Sequence, residues 1–72
     1  MIMTIEEHKK SLLLRKELAA CVGVLNNSYI NEPIKTVVKS RCDEIIRELR
    51  RIGIKYTLAK SEYVYSIATN DF

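Results

Sequence analysis

Two spacings of apolar residues divide the chain. From Thr4 to about residue 52 they recur every three or four positions, and after Gly53 they alternate. The first period is that of an amphipathic helix, the second that of a half-buried strand. Leu14, Leu18, Cys21, Val22 and Leu25 share one helical face, flanked by Leu13, Ala20 and Val24, with Lys9, Lys10, Lys16 and Glu17 on the polar side. This predicts a helix over about 4–27, apolar over more than half its circumference in its second half and so expected to pack on two sides. Thr4-Ile5-Glu6-Glu7 has the residues of a capping box, in which the threonine hydroxyl accepts from the Glu7 amide and the Glu7 carboxylate reaches back. Gly23 costs ~1 kcal/mol inside a helix, which implies a close helix crossing or an early stop. Asn26-Asn27-Ser28 supplies a plausible stop, since asparagine tolerates a left-handed cap.

Residues 27–32 read as a short connection, with Tyr29 and Ile30 expected against the core. Pro33 suits a first helical turn, where its missing amide has no partner to lose, with Asn31 or Glu32 as the cap. A second helix is predicted over about 33–52. Ile34, Val37, Val38, Cys42, Ile45, Ile46, Leu49 and Ile52 form an unbroken stripe on it. Asp43–Arg47 and Glu48–Arg51 place acid before base at helical spacing, the favourable order. Gly53 followed by Ile54 has the composition of a Schellman stop, with Ile54 reaching Leu49.

Beyond Gly53, Ile54, Tyr56 and Leu58 alternate with smaller or polar residues, as do Tyr63, Tyr65 and Ile67. Aromatic and β-branched residues favour strands, here about 54–59 and 63–69. Pairing Leu58 with Tyr63, Tyr56 with Tyr65 and Ile54 with Ile67 puts six large side chains on one face. Lys60-Ser61 lacks the Asn-Gly signature of a tight turn, so Ala59–Glu62 reads as a four-residue loop and Thr69–Phe72 as a tail. The expected fold class is α+β: one domain, 1–72, of two antiparallel helices followed by a C-terminal antiparallel β-hairpin. A two-stranded sheet is barely self-supporting and leaves open edges, which suggests pairing across a homodimer or onto a partner.

Seventy-two residues, 47% hydrophobic and 29% charged, make a globular domain rather than a disordered tail. A domain of this size buries only about 60% of its unfolded surface, so its stability margin is thin. Cys21 and Cys42 are too few and too far apart for a secreted disulfide framework. A disulfide between them remains geometrically open. Met1-Ile2-Met3-Thr4 runs into Glu6-Glu7, where a secretory leader would be basic. The longest apolar run, Leu18–Leu25, falls far short of the ~20 residues a membrane span needs. A cytoplasmic protein with free thiols is expected. The net charge of +3, from 12 basic and 9 acidic residues, argues against mimicry of DNA by an acidic surface.

Catalytic chemistry finds little to use. Nucleophilic catalysis needs a nucleophile, a base and an orienting group together, yet His8 is the one histidine and the cysteines lie on separate apolar stripes. Neither Cys-x-x-Cys nor His-x-x-x-His is present for a metal, and the glycines are too few for a phosphate-cradling loop. Catalytic residues, a metal and cofactors are therefore not expected. Two features remain. The first is a basic set, Arg47, Arg50, Arg51 and Lys55, with Lys39 and Arg41 upstream and Lys60 at the hairpin tip. It is either a solvated helix face or a surface for nucleic-acid phosphates. The second is Tyr29, Tyr56, Tyr63 and Tyr65, core residues by default but of a type favoured at interfaces.

The string Ile45-Ile46-Arg47-Glu48-Leu49-Arg50-Arg51-Ile52-Gly53-Ile54, with a hairpin ending Tyr63-Val64-Tyr65-Ser66-Ile67-Ala68-Thr69, resembles the recognition helix and wing of winged-helix DNA-binding domains. That resemblance covers about the last thirty residues. It implies DNA or RNA binding through Lys39, Arg41, Arg47, Arg50, Arg51, Lys55 and Lys60, and a turn near Lys39-Ser40-Arg41 before the recognition helix. The Ile34–Ile52 stripe departs from it by running without a break. The other reading is a non-enzymatic regulator or inhibitor that binds a host or partner protein, of the kind phages and mobile elements encode. Its candidate contacts are Tyr63, Val64, Lys60, Arg50 and Arg51. Small size, the missing catalytic set and an open sheet edge favour this second reading.

Overall fold

The computed structural model describes residues 4–62 and 64–69. Two helices, α1 (Ile5–Leu25) and α2 (Glu32–Arg51), precede two strands, β1 (Tyr56–Ser61) and β2 (Val64–Thr69). The chain is thus a small α+β fold, two antiparallel helices followed by an antiparallel hairpin, as the change of period predicts.

Local chemistry sets the helix ends. Thr4 caps α1 by a complete capping box: the Glu7 amide donates to Thr4 Oγ1 and the Thr4 amide to Glu7 Oε1, each at 3.1 Å. Asn31 caps α2, accepting from the Ile34 amide at 3.4 Å, with Pro33 in the first turn. At the far end of α2 the Ile54 amide donates to the Leu49 carbonyl at 2.9 Å and the Gly53 amide to Arg50 at 3.1 Å. These are the two bonds of a Schellman stop. Gly53 sits at φ 93, a conformation a Cβ disfavours.

Gly23 is different. It neither ends α1, which runs on to Leu25, nor marks a close crossing, because nothing lies within 4 Å of a Cβ built there. The two glycines therefore predict opposite outcomes. Gly23→Ala should stabilise by roughly 0.5–1 kcal/mol through helix propensity. Gly53→Ala should destabilise by roughly 1–2 kcal/mol through left-handed strain. Urea midpoints moving in the same direction for both would contradict this account.

The core lies between the layers. Leu14, Leu18 and Leu25 from α1 meet Cys42, Ile45, Ile46 and Leu49 from α2, and Ile54, Tyr56, Leu58 and Tyr65 pack over them. Buried Ser11 is satisfied by donating to the His8 carbonyl at 2.7 Å. Asn26, just past α1, tethers the hairpin: its Nδ2 donates to the Tyr65 carbonyl at 2.9 Å and its Oδ1 accepts from the Tyr65 amide at 2.7 Å.

The hairpin register differs from the expected one. Leu58 pairs with Ile67, Lys60 with Tyr65 and Tyr56 with Thr69. Ser61 pairs with Val64, so two positions rather than four separate the strands. Glu62 adopts φ 53, the positive φ that a two-residue connection demands and that usually selects Asn or Gly. The slip is even-numbered, so Tyr56, Leu58, Tyr65 and Ile67 keep their common face. It adds Lys60 to that face and moves the strands to 56–61 and 64–69. Tyr63 and the tail beyond Thr69 fall outside the described residues.

Three expectations about burial fail. Tyr29 is 96% exposed rather than tucked onto the core. The α2 stripe is covered only from Val38 onward, with Ile34 at 50% and Val37 at 70% exposure. Leu13, counted with the apolar flank of α1, is 68% exposed, although the second half of α1 does pack on two sides, against α2 and against the hairpin. The common cause is that, among the described residues, one sheet layer covers the helix pair.

Candidate interaction surfaces

The bare side of the helix pair follows from the geometry. Arg15 lies 5.8 Å from the Tyr56 ring centroid and Asn26 holds Tyr65, so these α1 positions face the hairpin. At 3.6 residues per turn, Leu13 is about 200° round the helix from Arg15. The same rotation of about 200° separates Val37 from Lys35 and Lys39, which border the hairpin tip. Leu13 and Val37 therefore point away from the sheet.

Ion pairs fix how α1 and α2 align. Lys10 Nζ meets Glu48 Oε2 at 3.1 Å, and Arg41 grips Glu17 with both Nε and Nη2 while Nη1 reaches Glu44 at 3.1 Å. Extending that alignment toward the interhelical connection brings Val24 level with Ile34 and Cys21 level with Val37. Half-buried Val24 and exposed Ala20, Ile34 and Val37 thus gather at one end of the bare face, with Leu13 beyond Glu17. Arg41 holds the Glu17 carboxyl below its usual range, chiefly by hydrogen bonding, and Lys10 does the same for Glu48. The Arg41 guanidinium is in turn held more firmly protonated, first by its hydrogen bond to Glu17.

The basic set does not converge on one site. Arg41 is turned toward α1. Arg51 lies 3.7 Å from Glu48, whereas the side chains of Arg47 and Arg50 have no ion pair among the described residues. Because β1 runs back along the helices, the hairpin tip reaches the N-terminal half of α2. Lys60 joins Lys35 and Lys39 there, around a cleft of about 350 Å³ also lined by Ser28, Glu32 and Tyr65. Lys60 and exposed Val64 are thus separated from Arg50 and Arg51, about 15–20 Å away by helix rise alone.

The thiols are free. Cys42 is fully buried, and burial, with smaller contributions from Cys21 and Asp43, pushes its thiol up to about 11. That is the reverse of the depression that makes a nucleophilic thiolate. Among the described residues, no group of three or more His, Cys, Asp or Glu could hold a metal ion, and no helix is long and apolar enough to cross a membrane.

The α2 helix is continuous from Glu32 to Arg51. The turn near Lys39-Ser40-Arg41 that a winged helix requires is not present. No protein-family model matches the chain, and no curated protein or solved structure matches it either.

Sequence reasoning missed the bare face because periodicity assigned Leu13, Ile34 and Val37 to the core. It missed Lys35 because that lysine's neighbours come from the hairpin tip.

Proposed function

We propose that this chain is a non-enzymatic regulator or inhibitor that acts by binding an apolar surface of a partner protein. The observation that carries the reading is the aliphatic side of the helix pair: Leu13, Ala20, Ile34 and Val37 lie open to solvent. Two helices about 30 Å long and about 10 Å apart present roughly 600 Å², near the per-partner area of a modest stable interface. Of the cations on this side, Lys10 and Arg41 are matched by Glu48, Glu17 and Glu44, while Lys9 and Lys16, one turn before and after Leu13, have no ion pair among the described residues. The partner surface is therefore apolar where it meets the aliphatic side chains, and binding through them should survive moderate salt.

The test compares Leu13→Glu/Val37→Glu with the parent in capture experiments on nuclease-treated extract. Both residues are exposed, so the variant should melt as the parent does. It should nonetheless lose the partner by about 100-fold or more, the scale of a charge placed in an interface core. Equal capture by parent and variant would defeat the proposal. So would a light-scattering mass of two chains that the double variant reduces to one, since the face would then be closed by a second copy.

The side chains of Arg47 and Arg50, without an ion pair among the described residues, keep a nucleic-acid reading as the alternative. On that reading affinity falls steeply with salt, and Arg47→Gln/Arg50→Gln abolishes it while Leu13→Glu/Val37→Glu leaves it intact.

A further inference from the structure

The cleft between the hairpin tip and the N-terminal half of α2 has no role in the protein-binding reading, which uses the opposite side of the helices. Its chemistry is specific. Among the described residues, Lys35, Lys39 and Lys60 border it with Glu32 as the single carboxylate, an excess of two positive charges. The side chains of Lys35 and Lys39 have no ion-pair or hydrogen-bond partner among the described residues. Among the described residues Lys60 contacts the Tyr65 ring, its ammonium 5.2 Å from the centroid. Elsewhere Lys10, Arg41 and Arg51 have carboxylate partners. Three like charges drawn together around one opening repel each other, and an anion relieves that repulsion.

The fold sets the backbone positions from which these side chains reach the cleft. Asn26 fastens Tyr65 to the end of α1 by its two hydrogen bonds, and Lys60 stands directly across the ladder from Tyr65. Lys35 and Lys39 are one turn apart on α2. The Ser28 hydroxyl at the rim also has no partner among the described residues.

We propose that this cleft binds the phosphate group of a small phosphate monoester. Charge decides among anions. A monoester carries about −1.5 to −2 near pH 7 and matches the local excess of two, whereas a carboxylate or a nucleic-acid phosphodiester brings one charge per group. Size agrees, since a cleft of about 350 Å³ is at the lower end for small-molecule sites. Lysine ammoniums supply the phosphate contacts as point charges, and the Ser28 hydroxyl adds a hydrogen-bond donor.

The probes are inorganic phosphate, ribose 5-phosphate and a short single-stranded oligonucleotide. Each is titrated at constant ionic strength and followed by calorimetry and backbone amide shifts. Saturable binding of phosphate and ribose 5-phosphate is expected, with shifts confined to residues 26–39 and 60–65. Tighter binding of ribose 5-phosphate would identify the monoester as the preferred source of the phosphate, and equal binding would leave phosphate itself sufficient. Lys39→Gln/Lys60→Gln should weaken both by about tenfold or more, while Arg47→Gln/Arg50→Gln leaves them unchanged. Absence of saturable binding overturns the proposal. Equal weakening by the two variants does the same, as that is diffuse electrostatics. Binding of the oligonucleotide alone would assign the surface to nucleic acid instead. The amide shifts in the parent protein keep the test valid even if a variant folds poorly.

Discussion

Leu18→Ala is expected to remove about 3 kcal/mol of unfolding free energy, within the range for a buried leucine cut to alanine. Leu18 has no exposed surface and sits in the cluster where α1 meets Cys42, Ile45 and Leu49. The loss combines the transfer energy of the deleted carbons with a cavity that flanking helices cannot close. In a domain this small a single core supplies about 3–5 kcal/mol net, so most of the margin goes with one side chain. Circular dichroism against urea should therefore show a variant close to its midpoint at low denaturant. Leu13→Ala is the control, expected to stay within about 0.5 kcal/mol because the residue is exposed. A parent-like Leu18→Ala would refute the placement of the core. An equally large loss at Leu13 would mean that the bare helix face is covered in solution.

The contrast between those two leucines also marks how far the sequence could be read. Element types and ends were legible because their causes are local. Thr4 and Glu7, Asn31 with Pro33, and Gly53 with Ile54 each satisfy backbone groups within one turn. The faces of the hairpin were legible because alternation survives an even slip. Its register was not. The expected loop followed from the absence of Asn-Gly, but Glu62 takes the positive φ, and Leu58 pairs with Ile67, four positions beyond Tyr63. Burial at Leu13, Ile34 and Val37 was illegible for a different reason. Apolar spacing says which side of a helix can be covered, not whether a second layer exists to cover it.

Lys60 lies seven residues beyond Gly53, about 20 Å of extended chain, and β1 runs back along α2, so Lys60 reaches Lys35 and Lys39 rather than Arg50 and Arg51. Grouping these cations by charge alone overlooked the direction in which the strand leaves the helix. The positive charge of Arg41 was legible, but its neutralisation was not, because its partner Glu17 lies on the other helix.

Cys42 gives the second large effect, visible only at alkaline pH. Its thiol is pushed from an ordinary 9.0 to about 11, because the core offers a thiolate neither water nor a cation. Cys21 from α1 and Asp43 beside it add repulsion, and the hairpin packs Tyr56, Leu58 and Tyr65 over the same core. A raised pKa means that the folded state retains the proton after the unfolded chain has lost it. Stability is therefore intact below about pH 9 and declines as pH rises toward 11, by about 2–3 kcal/mol across that window. Lysines and tyrosines titrate nearby, so the readout is a difference: the parent's urea midpoint should fall faster with pH than that of Cys42→Ala. The alanine variant starts less stable at pH 7 by the deleted sulfur, and the two curves should converge by pH 11. Parallel curves would show that Cys42 meets water in the folded protein, and with it that the α1–α2 core is looser than its zero exposure describes.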